Sequence, residues 1–321
     1  MVGRNGSRMP SGTTEEALTR TPLGGGKVLA RSRLRLPAIP LPWLLMLPAV
    51  LIVVVVTFAP IIQAVSLSFH ETKFLTVGQF VGLEQYRRFF GEPTNVQILL
   101  NTFVYALSCL VLTVPLALGL ALLLNRPFPG RTFFRTVLIL PWVVSYLVSG
   151  LLWLWLDSIS IGPVAYALSM LTNSRVDILG NPNTALLGVI VVTVWRTYPY
   201  ALILSLAALQ TISSDLYEAA RIDGAGNWEV FRFVTLPMIQ NTLLIVLIIL
   251  SVAYFNQTDI PLVMTGGGPV DRTELIGLRV YREAFLLFNY GYGSAIAMVM
   301  FGVNVVISLA YVRTLRTEGR Y

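Results

Sequence analysis

Apolar positions along this chain come in long unbroken blocks, without the apolar/polar alternation of barrel strands. Leu36–Phe69, Pro93–Asn125 and Thr136–Leu156 carry no charge. Ile178–Ser214 carries only Arg196, and Phe233–Thr258 and Ala284–Val312 carry none. A helix needs about 20 largely apolar residues to cross about 30 Å of hydrocarbon. Backbone N–H and C=O groups cannot face lipid unpaired, so blocks of this length predict helices. The pattern predicts six spans, over 42–68, 98–124, 136–156, 185–210, 241–263 and 293–313. Ser158–Ser174 is also uncharged but shorter, and Gly162-Pro163 interrupts it, which predicts an interfacial or re-entrant piece. The expected organisation is a flexible basic tail over 1–40, a membrane domain over 41–316 with a polar loop at 211–240, and a short tail over 317–321. The first apolar block is longer than the 7–15 residues of a signal h-region and follows a long polar stretch, so it is not read as a cleavable signal.

Composition sharpens this picture. The chain has 321 residues, 55% hydrophobic and 12% charged, with mean hydropathy +0.72. Soluble domains are about 45–50% apolar and about 25% charged. Half the usual charge does not cover a water-soluble globule, so a cytosolic enzyme, a disordered chain and a collagen-like fibre are excluded. What remains is an all-α integral membrane protein. A single cysteine, Cys109, excludes an internal disulfide framework and a cysteine metal cluster, and a single histidine, His70, argues against a histidine-rich metal site.

The net charge of +7 is explained by where it falls. With six spans, both termini share a side with the second-to-third and fourth-to-fifth loops. That side holds fifteen of the 23 Lys and Arg, among them Arg4, Arg33, Arg126, Arg135, Arg221 and Arg316. The other side holds seven, Lys73, Arg87, Arg88, Arg175, Arg272, Arg279 and Arg282, and Arg196 lies within a span. The bias places both termini in the cytoplasm. No basic domain with interleaved aromatics exists, which argues against nucleic-acid binding.

Ion-coupled carriers need ionisable groups inside the bilayer. Arg196 lies about 17 Å into the fourth span at 1.5 Å per residue, Asp259 sits at the outer end of the fifth, and no Glu or His lies within any span. A proton relay is hard to build from these, so the energy source is expected outside the chain. It is not a nucleotide site of its own. Gly24-Gly25-Gly26-Lys27 lacks the first P-loop glycine and is followed by Val28 rather than Ser or Thr. No Ser-His-Asp, paired-carboxylate or zinc spacing occurs, so catalytic residues and bound metal are expected to be absent.

The loop at 211–240 has the pattern of folded structure. Asp215 with Glu218 makes a capping pair. Leu216, Ala219, Ala220 and Ile222 continue a short helix, and Gly224 offers a left-handed terminator. Trp228, Val230, Phe231 and Val234 predict a second short amphipathic piece, closed by Leu236-Pro237 where the fifth span opens. The small residues Ala219, Ala220 and Gly224 admit close approach by another backbone.

Glu218-Ala219-Ala220-Arg221-Ile222-Asp223-Gly224-Ala225, followed by Phe231 and Leu236-Pro237, resembles the EAA loop of ABC importer permeases. Trp195-Arg196-Thr197-Tyr198-Pro199 through Leu209-Gln210, Ile212 and Tyr217 extends the likeness upstream. Thr265-Gly266-Gly267-Gly268-Pro269, with Thr273, Tyr281 and Ala284-Phe285, resembles the sugar-transporting branch, as do Asn101-Thr102, Gly119, Arg135 and Pro141. The resemblance covers about residues 40–316. One departure is Gln240-Asn241, where a further proline is common, which blurs the start of the fifth span.

The resemblance implies a type I importer permease in the inner or plasma membrane. Its expected partners are a second permease, two ABC ATPase subunits, an extracytoplasmic solute-binding protein, a carbohydrate solute and membrane lipid. ATP and Mg would be bound by the ATPases, with no cofactor in this chain. It implies that Glu218, Ala219, Ala220, Asp223 and Gly224 contact the ATPase, and that Leu236 and Pro237 pass motion into the fifth span.

Each residue also has a plainer reading. Glu218 serves equally as a cap, Gly224 as a helix stop and Asp223 as a solvated loop charge. Gly266, Gly267, Gly268 and Pro269 fit a flexible turn as well as a gate or binding-protein contact. Asn256 and Asp259 are three apart and predicted to share a helix face. With Arg196 and Asn304 they are candidates for the solute pathway, against pairing between helices. Trp142, Trp153 and Trp155 read as packing and interface anchors. The rival functions are import of glycerol phosphate, amino acids or peptides, and an ion-coupled secondary carrier.

Overall fold

The computed structural model describes residues 41–74 and 76–318, so the tail predicted for 1–40 and the last residues of the other, 319–321, lie outside the described residues. α1 spans Leu41–Leu67. The chain divides into two units after Val53. In the first, residues 45–53 of α1 are exposed throughout.

The second unit begins at Val54. The end of α1 leads into a small antiparallel ribbon, β1 (His70–Lys73) and β2 (Thr76–Phe80). Composition had left no place for this ribbon in an otherwise helical chain. α2 (Glu84–Gly91) and the 33-residue α3 (Pro93–Asn125) follow. Then come α4 (Arg131–Val143), α5 (Tyr146–Leu156), α6 (Pro163–Thr172) and the 25-residue α7 (Ala185–Leu209). α8 (Ser214–Ile222) and α9 (Asn227–Val230) lead through a π-turn, Phe231–Thr235, into α10 (Leu236–Phe255). α11 (Asp259–Met264), α12 (Ile276–Tyr281), a second π-turn (Arg282–Leu286) and α13 (Tyr290–Glu318) complete the chain.

The core lies where α3, α7 and α10 meet. Ala117 and Ala121, one turn apart on α3 and wholly buried, leave room for α7 to approach closely. Buried hydroxyls cross-link the same three helices: Tyr105 to Thr193 at 2.7 Å, Thr113 to Tyr254 at 2.9 Å and Thr197 to Tyr254 at 2.7 Å. In hydrocarbon each such bond stabilises by about 0.6 kcal/mol, and its partners have no water to turn to.

Among the described residues, five helical segments are long and apolar enough to cross a membrane, and a bent pair makes six. The expected single span at 136–156 is that pair: α4 and α5 meet at 99°. Pro141 weakens the ladder four residues back, Val144 and Ser145 turn extended, and Ser145 caps the new helix by accepting from Val148 N at 3.3 Å. At 13 and 11 residues, the halves are about 20 and 16 Å long, too short to cross alone. Ser158–Ser174 contains the ten-residue α6, also too short to cross.

The fifth span departs from its predicted bounds at both ends. Helical structure runs from Asn227 through the π-turn into α10, so Leu236-Pro237 does not close a separate piece. At the far end α10 stops at Phe255, and α11 restarts at Asp259. α11 packs on α5, where Gly150 has no side chain to keep them apart: a Cβ there would lie 3.2 Å from Val263 Cβ.

Candidate functional site

Chemistry-bearing residues gather in three places: the α7–α10 connection, the interior near Arg196, and the α11–α13 connection.

In the first, Ser213 caps α8 by accepting from Asp215 N at 3.2 Å. Asp215 therefore sits in the first turn, where its charge suits the helix dipole, and the expected Asp215–Glu218 capping pair does not form. Ser213 is a better cap because it precedes the first helical residue and has extended backbone. The far end is a Schellman stop. Ala225 N donates to Ala220 O and Gly224 N to Arg221 O, both at 3.0 Å, with Gly224 at φ +86°. Glu229 then accepts from Gly226 N, at 2.6 Å, to start α9.

This connection keeps its shape while burying little. No residue of α8 is buried. Ile222 is 85% exposed and Trp228 66%. Glu218, Ala219, Asp223 and Gly224 are exposed with them, and Ala220 is half-buried. A groove of about 900 Å³ runs beneath, lined by Arg126, Gln210, Tyr217, Glu218, Arg221 and Trp228 among others. Leu236 and Pro237 lie just past the π-turn, at the first positions of α10.

Arg196 is buried on α7, with its guanidinium 4.7 Å above the ring of Tyr146 on α5. Its Nε and Nη1 have no hydrogen-bond partner among the described residues, so an aromatic face takes the place of a carboxylate. Trp153 and Trp195 pack edge to face beside this region at 5.7 Å. Asn256 and Asp259 do not share a helix face, because Asn256 caps the end of α10 and Asp259 opens α11. Asn256 instead pairs with Asn304 of α13, each amide donating to the other's oxygen at 3.4 and 3.2 Å. Of the four pathway candidates, the structure joins these two. Arg196 meets Tyr146, and Asp259 opens α11, which packs on α5.

The α11–α13 connection is braced. Gly266 and Gly267 occupy left-handed backbone at φ +58° and +91°, and the Gly268–Pro269 bond is cis. Thr273 Oγ1 donates to Gly268 O at 2.7 Å and lies 2.6 Å from Thr265 Oγ1. From α3, Asn101 Nδ2 donates to Asp271 O at 2.9 Å, and Thr102 Oγ1 accepts from Ile276 N at 2.9 Å. The glycine run is thus no loose turn.

Beneath it Glu274, with no exposed surface, pairs with Arg282 at 3.0 Å and Arg279 at 3.5 Å, and Arg279 reaches Glu283 at 3.4 Å. Burial holds the Glu274 carboxyl above the usual glutamate range against the opposing pull of Arg282 and Arg279. Sequence reasoning missed this cluster and the Ser213 cap. The i, i+4 spacing of Arg279 and Glu283 was a signal; the role of Glu274 was invisible without its burial.

Residues 113–314 match the family model of the binding-protein-dependent transport system inner membrane component. The chain is 32% identical to the sulfoquinovosyl glycerol transport system permease protein SmoG of Agrobacterium fabrum (strain C58 / ATCC 33970), over 86% of this chain and 90% of that one. It is 33% identical to the trehalose/maltose transport system permease protein MalF of Thermococcus litoralis, over 89% of this chain and 97% of that one. Among solved structures, a chain of the bacterial alginate ABC transporter in complex with alginate pentasaccharide-bound periplasmic protein superposes with a TM-score of 0.77. It covers 87% of this chain and 95% of that one at 23% identity, a likeness of fold. With its five or six apolar spans and a matching model over most of its length, the chain belongs to the family of binding-protein-dependent transport system inner membrane components.

Proposed function

We propose that this chain is a permease subunit of an ATP-driven importer that brings a carbohydrate, a sugar, oligosaccharide or polyol, into the cell. The observation that carries the reading is the α8–Gly224 knob. It is capped at both ends, buries no residue, and leads through α9 into a membrane span. Such a shape suits a handle gripped from outside the chain. Relatives named for sulfoquinovosyl glycerol and for trehalose/maltose support the solute class. The Lys and Arg bias supports termini and knob in the cytoplasm.

In this reading two ATPase subunits, which bind ATP and Mg, receive Glu218, Ala219, Ala220, Asp223 and Gly224. Leu236 and Pro237 pass the motion to α10. A second permease completes the pathway, and an extracytoplasmic binding protein delivers solute at the opposite face, where Gly266–Pro269 offers a rigid contact. Arg196, Asn256, Asp259 and Asn304 lie toward the pathway, with the asparagines joining α10 to α13.

The test is uptake of labelled sugar by proteoliposomes holding the full transporter. Glu218→Lys and Gly224→Trp should each abolish ATP-dependent uptake while the protein still inserts and assembles with the second permease. Nothing lies within 4 Å of a Cβ at Gly224, so the Trp variant disturbs the docking surface and the turn rather than the core. Undiminished uptake in both variants would overturn the reading.

A further inference from the structure

α8 can move a membrane span only if a push on its exposed face reaches α10, yet it is nine residues long and buries none of them. Between α8 and α10 lies the π-turn Phe231–Thr235, where Leu236 N donates to Phe231 O, five residues back instead of four. Pro237 accounts for the widened turn. A proline offers no N–H and its ring collides with the carbonyl four residues earlier, here Phe233, inside the turn. A π-turn is a place where register along a helix can change, and such turns recur at functional sites. Left alone, this one would absorb a displacement of α8 by slipping register, and α10 would stay still.

A pair of hydroxyls sits across that weak point. Tyr217 is a half-buried residue of α8 that packs against the main core. Thr235, the last residue of the π-turn, is 3% exposed. Its Oγ1 lies 3.4 Å from the Tyr217 hydroxyl and 3.3 Å from Val230 O. Thr235 has one proton to give, and both the Tyr217 hydroxyl and Val230 O are placed to accept it. The Thr235 hydroxyl, at the end of the turn, thus faces α8 on one side and the residue before the turn on the other. Among the described residues this is the one side-chain hydrogen bond between α8 and the helix that continues into α10. Glu218 and Arg221, also on α8, form no ion pair there.

We propose that Tyr217 and Thr235 are positioning residues for energy coupling. Their hydroxyl bridge locks the register of the π-turn, so that α8 and α10 move as one body. The proposal rests on the coupling role of α8 proposed above. Without the bridge the turn yields: the ATPases continue to cycle, and less solute crosses per ATP. A residue needed only for packing would lower the amount of assembled transporter and leave that ratio unchanged.

The test measures ATP hydrolysed per solute imported, in proteoliposomes holding the complete transporter, for Tyr217→Phe, Thr235→Val, Thr235→Ser and the double variant Tyr217→Phe/Thr235→Val. The ratio should rise about three- to tenfold in Tyr217→Phe and in Thr235→Val, the scale of one hydrogen bond. The double variant should be no worse than the worse single one, because both remove the same bridge. Thr235→Ser, which keeps the hydroxyl, should stay within about twofold of the wild type on the same scale.

A wild-type ratio in Tyr217→Phe, or a Thr235→Ser as uncoupled as Thr235→Val, would overturn the proposal. If Thr235→Val does not assemble, Tyr217→Phe decides alone, since it removes one oxygen from a half-buried ring. Glu218→Lys and Gly224→Trp serve as controls. If they leave uptake intact, the coupling reading itself fails. If they abolish it while Tyr217→Phe keeps the wild-type ratio, only the bridge fails.

Discussion

The connections before α10 and after α11 are built in opposite ways. The α7–α10 connection satisfies its backbone and leaves its side chains out: Ser213, Gly224 and Glu229 fix the turns, while Ile222 and Trp228 face outward. The α11–α13 connection draws its charges in, with Glu274 and Glu283 buried against Arg279 and Arg282. One is a preformed, exposed surface. The other is a closed structure whose rigidity comes from its own residues. On the proposed function the first part would transmit force and the second hold shape, and substitutions in the two should fail differently.

The largest stability effect belongs to the closed end. Arg279→Met leaves Glu283 without its ion partner and Glu274 with one arginine, and should cost about 3 kcal/mol. Melting of the purified protein in detergent would show it, and an unchanged melting temperature would mean the cluster does not brace the loop. Ile222→Asp should do the reverse. Melting should not move, because the side chain is exposed. Affinity for the ATPase should fall at least tenfold, since burying an isoleucine is worth about 1.5–3 kcal/mol.

A smaller effect comes from pH. The Glu274 carboxyl sits above the usual glutamate range, so its protonated form is the one the fold favours. Its contribution is fully present below the ordinary glutamate value and is lost as pH rises through the raised one. Wild-type melting should therefore climb as pH falls from neutral toward that ordinary value. Glu274→Gln should flatten the slope with little change at low pH, and a slope equal to wild type would exclude Glu274 as its source. Smallest is the asparagine pair. Asn304→Ala should cost about 0.6 kcal/mol, and replacing both Asn256 and Asn304 by leucine should recover part of it, because no amide is then left unpartnered. A double-mutant cycle on melting checks both.

How much was legible in the sequence differs between the same regions. Uncharged block length located the long apolar helices, since lipid admits few alternatives to a helix of that length. It did not find the bend at Val144–Ser145, where a serine cap and Pro141 act inside an apolar run. Nor did it find the break at Asn256, since Asn256 and Asp259 fit a continuous helix equally well. The Glu218–Gly224 stretch was readable because its stop is local and needs a glycine at φ +86°. The Glu274 cluster was not: pairing with Arg282 depends on how the chain folds back under Gly267, which no local pattern encodes. Pro237 misled in the opposite sense. A proline usually marks a helix start or end, and here a π-turn absorbs it.

Cysteine cross-linking tests the central contrast most directly. Cys109 is buried and stays in place. Ile222→Cys and Val270→Cys each put a thiol at a highly exposed tip, 85% and 81% exposed in the native residues. In membranes holding the assembled transporter, a short bifunctional reagent should join the Ile222→Cys variant to an ATPase subunit and leave Val270→Cys unjoined to it. An ATPase adduct at Val270→Cys, or none at Ile222→Cys, would contradict the assignment of the α8 knob as the handle through which the chain is driven.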